Sequence, residues 1–447
     1  FVFSVLCLLC LLCFLFFFLM IRRPPRSTLD RSSAASDVYK RQPVTQEQVR
    51  KAYEKVKQSK GSGGVDKLNF DDLEQNLDNH LYKLWNRLSS GSYMPSAVLA
   101  REIPKLDGTR RKLGIPTILD RVAQQVVKVL LEPKLEGVFH AHSYGYRPYK
   151  DAHQAIDRCR EQCFGKSWVI DLDIKGYFDN IPHDKMLQCL MHLNTPKWMM
   201  MYIERWLQAP MQEADGSLTK RNSGTPQGGV ISPLLANLYL HYSFDKWMEL
   251  KYPSITFERY ADDIIVHCQA EEQTKSLLKQ IAQRLEACGL TLHPEKTKIV
   301  NCKSKGKQDE THATAFTFLG YTYCRRRVMT RYGIREGFTP AISTKAEKNI
   351  VRKFNSLVQK IPTHTSLNEF AITANKAIKG WMNYYGHQTK SALSKVCRAI
   401  NSRIGIWIMK KLKKVKSRLQ ARTKLKEIYA NLPKLFAHWA YGFKLNY

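Results

Sequence analysis

Cysteine pairs at metal-binding spacing are nearly absent from this chain. Of the 11 cysteines in 447 residues, three lie in the first 13 positions, and from there on no CxxC pair occurs. The others stand singly at Cys159, Cys163, Cys189, Cys268, Cys288, Cys302, Cys324 and Cys397. That scatter excludes a disulfide scaffold and a zinc-ribbon framework, and it fits a reduced, intracellular setting. Cys159 and Cys163, four apart on an expected helix, read as packing residues rather than ligands. Acidic residues are also scarce. Against 39 Asp and Glu stand 71 Lys and Arg, a formal charge of +32, which makes a polyanion the natural partner.

One long apolar run exists, from Phe1 to Ile21, followed at once by Arg22 and Arg23. Hydropathy alone would make it a membrane span. The next stretch, Ile21 to Gln42, resembles translated sequencing-adapter read-through. Residues 1–42 are therefore set aside as a non-native segment, and no membrane association is expected. Without them 65 basic residues still face 37 acidic ones, so the polyanion argument stands.

From Pro43 onward the pattern predicts an α+β chain. Val44 to Ser90 shows helical spacing broken by the glycine-rich GSGGVDK at Gly61. Val98 to Pro104 and Lys112 to Ile115 read as a hairpin turning at Asp107-Gly108 and carrying Arg101, Lys105, Arg110, Arg111 and Lys112. Leu119 to Leu135 reads as a helix with Val122, Val126, Val129 and Leu130 on one face. Strands and helices alternate to about Arg335. Beyond Lys345 the strand signal ends, and helices are expected over Ile350 to Val358, Leu367 to Tyr385 and Ile404 to Tyr429. The domain expectation is thus 43–335 for the mixed part and 343–447 for a helical part.

Tyr260-Ala261-Asp262-Asp263 lies between two strand-like runs, so a hairpin would expose both aspartates at its turn. Adjacent carboxylates repel unless a cation neutralises them. In Trp168 to Ile174 (WVIDLDI), alternation puts Asp171 and Asp173 on the face opposite Ile170, Leu172 and Ile174. Carboxylates on neighbouring strands suit a pair of Mg²⁺ ions about 3.5–4 Å apart, an arrangement made for phosphoryl transfer at a nucleotide.

These blocks, with IPKLDGTRRKLGIPT at Ile103, SYGYRP at Ser143, GTPQGGVISPLLANLYL at Gly224, GLTLHPEKTK at Gly289 and FLGY at Phe318, resemble those of group II intron-encoded reverse transcriptases over nearly all of Pro43 to Tyr323. The resemblance implies a right-hand polymerase, with fingers and palm followed by an all-helical thumb or maturase domain. It implies Asp173, Asp262 and Asp263 as metal-binding catalytic residues, with Asp171 as the neighbour on the same face. It further implies that Lys105 and Arg111 grip the incoming triphosphate. It implies that Phe178 lies beneath the sugar and excludes a 2′ hydroxyl; the other reading is that Phe178 is simply core. The resemblance also implies that Gln227, in Pro226-Gln-Gly-Gly229, lies beside the nascent base pair and that Lys296 and Lys298 contact template or primer phosphates, unless those lysines only form a solvated face.

Ile378 to Gly386 (IKGWMNYYG) and Phe436 to Trp439 resemble the maturase domain of the same family; Trp381, Tyr384 and Tyr385 are core or stacking residues. Lys410 to Lys426 holds nine Lys or Arg and no acid: Lys410, Lys411, Lys413, Lys414, Lys416, Arg418, Arg422, Lys424 and Lys426. With Leu412, Val415, Leu419 and Leu425 at helical spacing, one face would pack and the other would meet RNA phosphates. Neutralising ~6–10 phosphates makes binding fall by ~10³–10⁵ between 50 and 200 mM salt. No HNH-like cluster follows, so the endonuclease module of some relatives is expected to be missing.

The implied function is Mg²⁺-dependent copying of intron RNA into DNA, with assistance to splicing and mobility in the prokaryotic cytoplasm. Its partners are group II intron RNA, an RNA template, a DNA primer and deoxynucleoside triphosphates. Two other readings stay open: a splicing cofactor that chiefly binds RNA, and another prokaryotic class such as a retron or diversity-generating enzyme.

Overall fold

The computed structural model describes residues 44–104, 108, 110–303, 312–330 and 333–443. The expectations for residues 1–42, for Lys105 and for Asp107 at the fingers turn lie outside the described residues. Among the described residues, no helix is long and apolar enough to cross a membrane.

Helices α1 (Gln46–Gln58), α2 (Phe70–Glu74), α3 (Leu77–Ser89) and α4 (Ile118–Glu136) open the chain. Thr45 and Gln48 form a capping box at the start of α1, and Thr117 caps α4. The buried set of α4 includes Val122, Val126, Val127, Leu131 and Leu135, whereas Val129 is exposed, contrary to expectation. The stripe toward the core advances by one residue per turn pair, which a face chosen from four positions misses. Strands β1 (Val98–Pro104) and β2 (Arg110–Ile115) pair antiparallel, as the sequence predicts. They extend through β4 (Met211–Gln212) and β5 (Leu218–Thr219) in the order β2-β1-β4-β5.

The palm sheet has the order β6-β7-β3-β8: Thr256–Tyr260, Asp263–Cys268, Trp168–Leu172 and Lys298–Asn301. All three pairings are antiparallel. Ile170, Leu172, Ile264 and Val266 join the large core shared with α1, α3, α4 and the helices between residues 183 and 287. The other face carries Val169, Ile265 and Val300. It is covered by α5 (Ala152–Gly165) and by the sheet β9 (Ala315–Phe318), β10 (Tyr321–Thr330), β11 (Gly333–Ile342). Because β11 runs to Ile342, the strand region extends past Arg335.

Between β3 and β6 come α6 (Tyr177–Asn180), α7 (His183–His192), α8 (Lys197–Gln208) and α9 (Ser232–Leu240). A π-turn at His241–Asp245 then leads into α10 (Lys246–Lys251), and α11 (Glu271–Ala287) follows β7. A separate core holds α12 (Thr344–Lys360), α13 (Leu367–Tyr385), α14 (Ser394–Lys411), α15 (Arg418–Asn431) and α16 (Ala437–Ala440). The third helix expected there is two. Leu412 is extended and Ser417 caps α15 afresh, because consecutive lysines at a helix end repel and a Ser-x-x-Gln box offers a new start. Leu412 and Leu419 are exposed, and Ala421 and Leu425 are the buried positions of α15.

Candidate active site at the palm sheet edge

Register decides which carboxylates meet. Leu172 pairs with Ile264, so Asp173, one residue further along, faces Asp263 at the head of β7. Tyr260 pairs with Asp263 across the β6–β7 turn, leaving Ala261 and Asp262 at its tip. Ala261 takes φ +58°, an uncommon conformation for a residue with a side chain, and the surroundings hold it there. Arg259, fully buried, donates from Nη1 to the Ala261 carbonyl at 3.0 Å. Its other donors fork onto Asp245 at 2.7 and 2.5 Å, and Nη1 also reaches Asn237 Oδ1 at 3.0 Å. From the opposite side the SYGYRP loop closes in. Tyr144 N donates to Arg259 O at 2.8 Å, and a Cβ on Gly145 would sit 2.4 Å from Ala261 N. Only glycine fits there.

Asp173 is fixed through its backbone. His293 N donates to Asp173 O at 2.7 Å, and Thr297 Oγ1 accepts from Asp173 N at 3.3 Å. The loop that supplies those groups also brings Lys296 Nζ to 2.9 Å from Asp173 Oδ2, and Lys298 lies 3.6 Å from Asp171. The two lysines expected on nucleic-acid phosphates thus stand beside carboxylates. The β3–β8 pairing, set by residues more than 120 positions apart, puts them there.

Negative charge in this corner exceeds what the lysines neutralise. The surrounding protein and then the carboxylates of Asp262, Asp171 and Asp173 push Asp263 up to about 7. Asp262 is raised as well, by burial and by Asp173, with Arg111 and Arg259 acting the other way. Burial pushes Asp171 up to about 6, although Lys298 opposes it. The oxygens of Asp173, Asp262 and Asp263 do not close as a trio to within 4.8 Å. Without a cation these carboxylates repel one another, and Asp173 has Lys296 as its partner instead. An all-oxygen donor set with surplus negative charge fits a hard divalent cation such as Mg²⁺.

Around the acids, Arg111 on β2 is close enough to Asp262 to lower its pKa. Phe178 on α6 is half-buried against the main core, and its carbonyl accepts from Thr225 N at 2.7 Å. Gln227 Nε2 donates to Asp179 Oδ2 at 3.1 Å, and Gln227 O accepts from Gly114 N at 3.2 Å. The Pro226–Gly229 loop therefore bridges β2 and α6. Gly228 has φ +145°, and a Cβ there would meet Gly114 O at 2.5 Å. Tyr146, at φ +58° and exposed, also faces the corner; Asp262, Tyr260 and Arg111 act on its hydroxyl. Sequence reasoning missed Tyr146, Arg259, Asp245 and Asn237. The SYGYRP and GVISPLLANLYL blocks contain Tyr146 and Asn237, but no spacing signals a buried Arg–Asp fork 14 residues apart.

FLGY joins the palm to the helical domain. Tyr384 Oη donates to Leu319 O at 2.9 Å, Tyr321 Oη donates to Tyr384 O, and Tyr385 lies over Gly320. Tyr384 and Tyr385 are packing residues at this junction. Of the basic run, Lys411 donates to Thr363 O and Thr365 O, while Lys413, Lys414, Lys416 and Arg418 are exposed around the 412–417 break and Lys410 is exposed on α14.

A model of the reverse transcriptase (RNA-dependent DNA polymerase) family matches residues 103–323, and the group II intron maturase-specific domain matches 347–426. The chain belongs to the group II intron reverse transcriptase/maturase family. Its order of a polymerase palm followed by a helical domain is that of the two matches. Protein YkfC of Escherichia coli strain K12 is 29% identical over 336 residues, covering 67% of this chain and 84% of that protein. The Group II intron-encoded protein LtrA of Lactococcus lactis subsp. cremoris is 33% identical over 237 residues, covering 53% of this chain but only 38% of that protein. Among solved structures, a telomerase from Candida albicans in complex with a telomeric RNA fragment aligns at 10% identity with TM-score 0.44, over 83% of this chain and 67% of that one. Members of the reverse transcriptase family generally use a divalent metal.

Proposed function

We propose that this protein copies intron RNA into DNA and assists the splicing and mobility of that RNA. The observation that carries the reading is the convergence of Asp173, Asp262 and Asp263 at one sheet edge by strand register. Asp173, Asp262 and Asp263 would hold Mg²⁺, with Asp171 behind them. Bound there, the metal supplies Lewis acidity to a primer 3′ hydroxyl and to a triphosphate. Arg111 presents its guanidinium to phosphate oxygens on the fingers side, where a planar fork binds better than a point charge. Lys105 is assigned the same duty. Phe178 excludes the 2′ hydroxyl, and Gln227 supports the nascent base pair from a loop fixed on both sides. Lys296 and Lys298 hold the acids while the site is without substrate and turn to phosphate when it binds. The exposed Lys410, Lys413, Lys414, Lys416 and Arg418, with Lys411, bind group II intron RNA. The reactants are an RNA template, a DNA primer and deoxynucleoside triphosphates in the cytoplasm.

The helical domain favours a second duty, RNA binding without synthesis. Two variants separate the duties. Asp262→Ala/Asp263→Ala loses at least ~10²–10³-fold in primer extension, the scale for removing groups that stabilise developing charge, and keeps splicing assistance. Charge reversal of Lys410 to Lys416 loses both. Full extension by the aspartate variant on primed RNA with Mg²⁺ would refute the assignment.

A further inference from the structure

The aspartates occupy only one end of their sheet face. Two rows further along, Val169, His267 and Val300 pair across β3, β7 and β8, with Glu258 on β6 in the row between. Against His267 and Glu258 pack Cys159 and Cys163 from α5, and Cys302 from the end of β8. Chain segments scattered over more than 140 positions thus deliver three thiols, an imidazole and a carboxylate to one buried spot. His267, Glu258 and Cys159 have no exposed surface, and Cys163 and Cys302 are 5% and 6% exposed. All three thiols are free.

Two observations there point to a ligand. One donor atom each from Cys159, Glu258 and His267 lies within 4.8 Å of the others, the sole group of this kind among the described residues. Moreover, His267 and Glu258 are each only half satisfied. His267 Nε2 and Glu258 Oε2 share a hydrogen bond at 2.6 Å, Glu258 Oε1 is buried with no partner, and buried His267 Nδ1 has no oxygen or nitrogen partner, the Cys163 thiol being the other side chain that acts on the ring. An orphaned buried nitrogen and carboxylate oxygen each cost stability, and such groups in a folded protein call for an occupant. Cys163 adjoins Cys159, Cys302 and His267, so a fourth donor is at hand.

We propose that Cys159, Cys163, His267 and Glu258 bind a thiophilic divalent cation of the zinc class, with Cys302 beside Cys163. Sulfur, imidazole and carboxylate donors of this number match tetrahedral zinc, whereas the all-oxygen corner matches a hard cation. On binding, the two thiols release their protons to solvent, as does the imidazole, whose charged form Glu258 favours, so that it ligates as the neutral ring. Two thiolates, one carboxylate and the dication leave a single net negative charge, far less costly to bury than unpaired ligands. The consequence is mechanical. The opposite side of α5 grips the helical domain through Asp157, which accepts from His387 Nε2 at 2.9 Å, and through His153, stacked on His387 at 4.3 Å. The cation ties that helix to the sheet bearing the aspartates.

The test uses the full chain, purified, stripped with a chelator under reducing conditions and titrated with Co²⁺ alone. Binding of one equivalent with sulfur-to-cobalt charge-transfer absorption is the expected result, and Zn²⁺ erases the band. Cobalt bound at the aspartates gives no such band, since no thiolate is there. Cys159→Ser/Cys163→Ser abolishes the band and Cys189→Ser leaves it unchanged. A folded wild-type chain that shows no charge-transfer band and carries no zinc when isolated overturns the proposal, whatever the variants do. So does formation of a Cys163–Cys302 disulfide that leaves the cobalt titration unaltered.

Discussion

Asp173 and Asp263 lie 90 residues apart in sequence and face each other because β3 and β7 pair. Lys413, Lys414 and Lys416 are near neighbours in sequence, and all three are exposed around a break between two helices. In the palm, like charges are forced together by register and held by buried partners such as Arg259. In the helical domain Lys413, Lys414 and Lys416 lie exposed on a surface. The first arrangement needs a cation fixed in space, and the second suits a polyanion that adapts to it. On the proposed reading, one region serves chemistry and the other serves binding.

The comparison breaks most sharply if the palm does not depend on its buried fork. Arg259→Ala removes both charged hydrogen bonds to Asp245, which has no exposed surface and keeps only His241 3.8 Å away, and costs about 3–5 kcal/mol. The check is the urea midpoint, and Asp245→Ala/Arg259→Ala costs less than the two single changes together. Next in size is the helical surface. Lys413→Glu/Lys414→Glu/Lys416→Glu lowers the slope of log affinity against log salt for intron RNA by at least about 2, since each phosphate contact to a single strand contributes about 0.7. Its urea midpoint stays put. An altered midpoint with an unaltered slope would reverse the contrast between the two regions.

The smallest effect is on pH dependence. Asp263 titrates at about 7 in the folded chain against 3.8 ordinarily. Between those values the folded chain retains a proton that the unfolded chain has released, so stability falls as pH rises through that window. Asp263→Asn removes its share of this fall and leaves the smaller contributions of Asp171 and Asp262, which are also raised. A divalent cation must displace the same proton, so the metal concentration needed for half-maximal synthesis rises as pH drops below about 7.

Much of this was legible in the sequence, for a reason the two regions share. Short motifs report local constraints: YADD declares its hairpin and WVIDLDI its alternation. Where the decisive contact is distant, sequence is mute. Lys296 and Lys298 look like free cations until β8 is seen beside β3. Cys159 and Cys163 look like packing until His267 and Glu258 arrive from other strands. The basic run reads as one helix because periodicity does not register a repulsive end followed by a fresh cap.

The central claim is that residues near 173 and residues 262–263 surround the same cation. Replacing Mg²⁺ with Fe²⁺ and generating hydroxyl radicals at the bound iron maps that neighbourhood by backbone cleavage. The account predicts cuts around Asp173 and around Asp262 in the same sample, both suppressed by excess Mg²⁺ and both lost in Asp263→Asn. Cleavage at one segment without the other, or cuts that persist in that variant, would contradict it.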